Sequence, residues 1–163
     1  MTQLFPGRFT AEVPSSFVLF VIGMRINSIW AVRKWLPTVR AMLPMMQTLE
    51  ADPTKGYLGG ESFFRFFPIT SLTMTYWRSF DDLERFAKNP SDPHFGAWGR
   101  FMKSIGGDGS VGIWHETYAI EQGRFEAIYG NMPRFGLANA FGHVPVGKSI
   151  DTARQRIRLS NAG

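Results

Sequence analysis

The stretch F-V-L-F-V-I-G-M-R-I, residues 17–26, decides the fold. A strand with one wet face alternates apolar and polar residues, because successive side chains point to opposite sides of a sheet. This run is apolar at odd and even positions alike, so it predicts a central strand with helices on one face and a second layer on the other. Its apolar core, residues 17–23, is too short to span a bilayer. Arg25 stands on the face of Phe17, Leu19 and Val21, where it is either a pocket-edge cation or the solvated end of the strand.

Downstream, Asn27 or Ser28 can cap a helix over residues 29–50, in which Trp30, Trp35, Val39, Met42, Leu43, Met46 and Leu49 recur at helical spacing. Pro37 and Pro44 predict a kink or a two-part helix. Residues 57–67 read as a strand with a bend at Gly59-Gly60, and residues 69–78 as another. Phe63, Phe64, Phe66 and Phe67 surround Arg65, so a pocket or a partner subunit must cover them. Ser79 caps a second helix, and a third runs from about His94 to Ile105. His94, Trp98 and Phe101 share one face of that third helix, and the positive helix end favours a neutral imidazole at His94.

Residues 111–137, V-G-I-W-H-E-T-Y-A-I-E-Q-G-R-F-E-A-I-Y-G-N-M-P-R-F-G-L, hold the densest chemistry. Period two places His115 with Val111, Ile113, Thr117 and Ala119, and Glu116 on the other face among Trp114, Tyr118 and Ile120. Residues 124–129 are expected to return from the Glu121-Gln122-Gly123 loop as the antiparallel partner of this strand. A histidine and a carboxylate in such a strand cost stability unless paired, which marks them as candidates. The alternative is a structural histidine bonded to a backbone carbonyl and a glutamate on solvent. The 1–16 segment reads as an extended arm, 17–137 as the domain, and 138–163 as a partly ordered tail in which His143 carries little information.

Length and composition narrow the classes. The 163 residues suffice for one domain with its own core, and 15 Phe with 5 Trp favour an apolar pocket or an oligomeric interface. The absence of cysteine excludes disulfides, thiolate metal sites and cysteine nucleophiles. Three histidines leave a His/carboxylate metal or a His-ligated haem as the metal chemistry to consider. The net charge of +5 is concentrated in the tail at Lys148, Arg154, Arg156 and Arg158, which argues against nucleic acid as a partner. The sequence carries neither a secretory leader pattern nor a spanning segment, so no membrane association and a cytoplasmic location are expected.

The order β, α, β, β, α, β with an extra C-terminal strand is the split β-α-β pattern of an α+β, ferredoxin-like antiparallel sheet. Helices cover one face, and the other is expected to pack against a second copy as a homodimer. W-H-E-T-Y at 114–118, Y-G-N-M-P at 129–133 and D-P-H-F-G-A-W-G-R-F at 92–101 resemble the small monooxygenase-like proteins that include the fumagillin-biosynthesis type (DUF4188), in the dimeric α/β-barrel superfamily. The resemblance implies a dimeric α/β barrel and an oxygenase acting on an apolar small molecule, with no cofactor or with haem b.

In the cofactor-free version a base removes a substrate proton and the anion passes an electron to O2. His115 or His94 would be the base, Glu116 or Asn131 its orienting partner, and Arg25 or Arg65 the stabiliser of the anion. Trp98, Phe101, Trp114 and Tyr129 would form the wall of a dry chamber between sheet and helices. In the haem version, as in the superfamily's aldoxime dehydratases and haem-degrading enzymes, His94 or His115 would be the axial ligand. A non-catalytic small-molecule binding module is the third reading.

Overall fold

The computed structural model describes residues 3–159, apart from the side chains at 93, 94, 97 and 159. Its centre is a four-stranded antiparallel sheet in the order β3-β4-β2-β5, built from β2 (Phe17–Ile26), β3 (Tyr57–Phe66), β4 (Ile69–Trp77) and β5 (Val111–Ile120). The stretch that is apolar on both faces is indeed a central strand, with Val18 opposite Trp77 on one side and Ala119 on the other. Helix α1 (Val32–Ala51) joins β2 to β3, and α2 (Phe80–Lys88) with α3 (Pro93–Ile105) joins β4 to β5. This is the ferredoxin-like order expected from the sequence.

Cross-strand neighbours share a face. Val18, Phe20, Ile22, Met24 and Ile26 point to the helices, and Phe17, Leu19, Val21 and Arg25 point away. On the helix side two clusters form the core. One packs Val18 and Trp77 against Leu49 of α1 and Leu83 and Phe86 of α2. The other packs Met24, Ile26 and Val111 against Phe101 and Ile105 of α3.

Helix α1 starts at Val32, three residues later than expected, with no side chain capping it. Asn27 instead donates its amide to the Gly109 carbonyl (2.9 Å), which ties the end of β2 to the start of β5. Pro37 and Pro44 lie inside a continuous helix rather than dividing it. Ser79 caps α2 as expected, accepting from the Asp82 amide at 3.1 Å. The β3 register slips between Tyr57 and Gly59, where the Gly59-Gly60 bend was expected, and a Cβ at Gly60 would lie 2.6 Å from the Met74 carbonyl oxygen.

The expected 111–129 hairpin does not form. Among the described residues strand β5 pairs only with β2, and the chain after the turn at Gly123 (φ +76°) joins a second sheet. That sheet, in the order β6-β1-β7, consists of β1 (Phe5–Glu12), β6 (Tyr129–Met132) and β7 (Gly142–Pro145). Thr10 in β1 donates to the Ala127 carbonyl (2.8 Å), holding the incoming segment away from β5. The segments read as arm and tail thus supply two of its three strands. With helix α4 (Leu137–Ala140) the second sheet closes one end of the main sheet's non-helical face over Val13, Phe17 and Tyr76. A last helix, α5 (Ala153–Leu159), is anchored by Arg156, whose Nε donates to Glu126 at 2.8 Å. Among the described residues no helix is long and apolar enough to cross a membrane.

Candidate functional site

Strand alternation distributes the sequence candidates over three places. On the helix side, His115 lies level with Ile22, Thr73 and Ser62, one row across all four strands. The Ser62 and Thr73 hydroxyls are 3.0 Å apart and share one hydrogen bond, which leaves a second hydroxyl hydrogen free to donate. The next row holds Thr117, Phe20 and Thr75, and the His115 ring lies 5.6 Å from that of Phe20. This stretch falls between the two core clusters, where Phe20 and Ile22 are only half-buried and His115 and Thr117 are exposed. The water-excluding chamber expected around His115 is therefore not closed by this chain alone.

Phe101 belongs to the Met24 cluster, and the Trp98 ring lies 5.9 Å from it, so these two candidates stand on the helix layer. The backbone of His94 is in α3, and its side chain lies outside the described residues.

On the opposite face stand Trp114, Glu116, Arg25 and Arg65. Glu116 accepts from the Tyr118 hydroxyl and points away from His115, so it is not placed to orient that imidazole. The Trp114 indole lies against Gly23, where a Cβ would come within 2.5 Å of its ring nitrogen. Arg65 braces its own turn, donating to the Pro68 carbonyl (3.3 Å) and the Thr70 hydroxyl (3.1 Å).

The remaining two candidates lie in the second sheet. Asn131, with φ +52°, accepts from the Gly7 amide at 2.9 Å and fixes β6 to β1. The Tyr129 hydroxyl accepts from the Ala138 amide at 3.2 Å, and burial raises its pKa. Tyr76, beneath it, is pushed up to about 12, chiefly by burial. His143 stacks on Phe9 (4.3 Å, 19° between planes) with Phe5 edge-on, and neither ring nitrogen has a hydrogen-bond partner. Burial first, and Arg134 second, hold its pKa below the ordinary imidazole value.

Ser62, Thr73 and Thr117 were not candidates in the sequence. Thr73 and Thr75 alternate on one face of β4 and could have been read as a polar stripe, but β-branched residues signal a strand whatever they face. A cleft of about 340 Å³ opens elsewhere, between the end of α1 and the start of β3, lined by Leu49, Glu50, Tyr57 and Asn139. It contains none of the candidates. Among the described residues no cluster of His, Asp and Glu could hold a metal ion.

A haem needs an imidazole facing porphyrin-sized space. The cleft has no histidine in its lining, and His143 is sandwiched among aromatic rings with no open space against its nitrogens. Of the two axial candidates, His115 is exposed on an edge strand and the side chain of His94 lies outside the described residues.

A sequence profile of the monooxygenase af470-like family matches residues 17–137. The chain belongs to that family. The match covers the whole main sheet and its helices, ends at the first residue of α4 and leaves out β1, β7 and α5. No curated protein matches the sequence of this family member.

Among solved structures, an aldoxime dehydratase (OxdRE) in complex with butyraldoxime is similar over 81% of this chain and 41% of its own, with 17% identity and a TM-score of 0.63. A second aldoxime dehydratase is similar over 96% of this chain and 44% of its own, with 13% identity and a TM-score of 0.54. SnoaB, a cofactor-independent oxygenase from Streptomyces nogalater, is similar over 66% of this chain and 95% of its own, with 11% identity and a TM-score of 0.44. This monooxygenase-like chain thus spans less than half the length of the aldoxime dehydratases it matches, and at these identities the likeness concerns the fold.

Proposed function

We propose that this chain is an oxygenase that holds an apolar small organic molecule against the helix-facing side of the main sheet, with His115 as the base. The observation that carries this reading is the position of His115, in the gap between the two core clusters and on the row of the Ser62–Thr73 hydroxyl pair. Family membership supports oxygenase chemistry.

In this mechanism the neutral imidazole takes a proton from the substrate, and the free hydroxyl hydrogen of the Ser62–Thr73 pair donates to the oxygen on which negative charge develops. The anion then passes an electron to O2. Phe20, Ile22 and the Trp98–Phe101 pair supply apolar wall, and the bound substrate completes the exclusion of water. Glu116, Trp114, Arg25 and Arg65 have no part at this site, because the sheet lies between them and His115. The same reading includes a homodimer, with the uncovered part of the opposite face buried against a second copy.

The test is oxygen uptake with a panel of apolar, enolisable or phenolic compounds, alongside ligand binding read from tryptophan fluorescence. His115→Ala should bind within a few fold of the parent and lose about 100-fold or more in turnover, the scale of a lost general base. Full turnover in that variant would overturn the assignment. Binding without oxygen uptake by the parent would make the chain a binding module. An absorption band near 400 nm in freshly purified protein would overturn the cofactor-free reading.

A further inference from the structure

The strand register gathers three loops at one end of the main sheet. Arg25, near the end of β2, stands level with Thr70 at the start of β4 and Gly112 at the start of β5, and Thr70 stands level with Arg65 at the end of β3. The β2–α1 loop, the β3–β4 turn and the α3–β5 loop therefore leave the sheet together. The amides of Asn27 and Ser28 both donate to the Ser110 carbonyl (3.0 Å), which ties the first loop to the third.

Among the described residues, the three large apolar side chains most open to solvent are Phe67 (91%), Trp30 (87%) and Phe66 (82%), and all three stand at this end. Ile29 and Phe64 beside them are more than half exposed, and the Phe64 ring meets that of Phe66 edge-on at 5.2 Å. The backbone that carries these rings is braced. The Arg65 guanidinium and the Thr70 hydroxyl donate to the Pro68 carbonyl (3.3 and 2.9 Å), and the Trp35 indole donates to the Ile29 carbonyl (3.3 Å). Rings held in water in this way carry a cost proportional to their apolar area, which burial against another body would relieve.

Charge is divided along the same direction. Residues 25–34, 65–70 and 103–111, which form this end, hold Arg25, Arg33, Lys34, Arg65 and Lys103 against one carboxylate, Asp108, which Lys34 pairs at 2.6 Å. Residues 12–17, 50–57, 77–82 and 120–124, at the opposite end, hold three cations and six carboxylates. Helix α1 also directs its amino end to the aromatic end, with no acidic residue in its first turn, and adds positive potential there.

We propose that this end of the sheet docks on an anionic lipid bilayer, with the Phe66-Phe67 turn and Trp30 buried at the headgroup boundary and the surrounding cations drawn to the lipid phosphates. Aromatic rings at loop tips with a cationic rim suit such an interface, where apolar surface is buried to a shallow depth and basic residues attract anionic headgroups. A protein partner would have to offer a fitted pocket to each protruding ring, whereas a deformable surface receives all of them at once. The sequence expectation of no membrane association rests on the lack of a spanning segment, which a contact of this kind does not use. The inference is independent of the reaction proposed above, and it places the protein where apolar compounds accumulate.

Co-sedimentation with vesicles tests it, comparing phosphatidylcholine alone with phosphatidylcholine containing roughly a third phosphatidylserine. The parent should partition about tenfold or more better onto the anionic vesicles and lose that preference in concentrated salt. Phe66→Ser/Phe67→Ser should lower the partition by about tenfold or more with its circular dichroism unchanged, because side chains so exposed carry little of the fold. Arg33→Glu/Lys103→Glu should bring binding to anionic vesicles down towards that seen with phosphatidylcholine alone. Trp30→Phe should bind as the parent does but lose most of the blue shift of tryptophan emission that vesicles produce.

A parent that stays in the supernatant with anionic vesicles at low salt would overturn the proposal, and so would a Phe66→Ser/Phe67→Ser variant that binds like the parent. Sedimentation velocity without lipid supplies the competing outcome. If the parent ignores vesicles and the Phe66→Ser/Phe67→Ser variant alters its oligomeric state, the rings belong to a protein contact and the lipid assignment is wrong.

Discussion

The two faces of the main sheet are built from the same four strands, yet they are covered in different ways. On the helix face, coverage sits at both ends of the strands, with Trp77, Leu49 and Phe86 at one and Met24, Phe101 and Ile105 at the other, and it thins in the middle at His115. On the opposite face a single cluster, Val13, Phe17 and Tyr76 under the second sheet, closes one end, and the β2–β5 half beyond it is bare. The difference separates two uses of apolar surface. Where side chains from two or three elements interdigitate, burial stabilises the fold. Where one sheet carries aromatic and charged residues with nothing above them, the surface is available for a ligand or a partner.

The strongest way to break the covered side is Trp77→Ala. Trp77 is 1% exposed and donates its indole N–H to Thr75 at 2.8 Å, so the variant leaves a cavity and an altered hydroxyl network. A loss of about 3–5 kcal/mol is expected in urea titration. A loss below about 1 kcal/mol would mean that the Leu49–Phe86 cluster is not the core it resembles.

Asp82 stands next. Hydrogen bonds from Arg78 chiefly, then from Ser79 and Arg85, hold its carboxyl well below the usual carboxylate range. The arginine side chains are largely solvent-exposed, so Asp82→Ala should cost only about 1–2 kcal/mol at neutral pH. Folding favours the charged form of Asp82. Its contribution is therefore present above the unfolded carboxylate pKa and is lost as pH falls through the lowered folded one. The stability gap between parent and Asp82→Ala should accordingly be full at neutral pH and narrow in acid. A gap that widens in acid would contradict the assignment.

The smallest change sharpens the bare side. Gly23→Ala puts a methyl group into the Trp114 indole, and because Trp114 can swing outward the net cost should be about 1 kcal/mol or less. The informative readouts are a red shift of tryptophan emission and weaker self-association. An unchanged spectrum would mean that the indole does not rest on Gly23 in solution.

How far these features were legible follows from their range in the sequence. The alternation of β5 assigned His115 and Glu116 to opposite faces without coordinates, and the doubly apolar 17–26 stretch announced a central strand. The partner of β5 was not legible. A Gly-containing turn at Glu121-Gln122-Gly123 looks the same whether the chain folds back as a hairpin or departs, and only the Thr10 bond to Ala127 and the pairing of Phe9 with Tyr129 show where it goes. The second sheet was equally hidden. Strands β6 and β7 are four residues long and owe their existence to a β1 more than a hundred residues away.

Of the candidate site, the sequence supplied His115, Trp98 and Phe101. It also offered Glu116 and Asn131 as partners for the imidazole, and the first lies across the sheet while the second is tied to Gly7.

By itself the sequence determined the order of strands and helices in the main sheet and its covering layer, the faces of those strands and the surplus of aromatic surface, because these follow from periods of two and 3.6 residues and from composition. Tertiary structure alone decided which strands pair across long separations, that Ser62 and Thr73 stand level with His115, and that Arg25 and Glu116 lie on opposite sides of Trp114. Those relations depend on the register between strands distant in the chain, and register is set by packing the whole sheet at once.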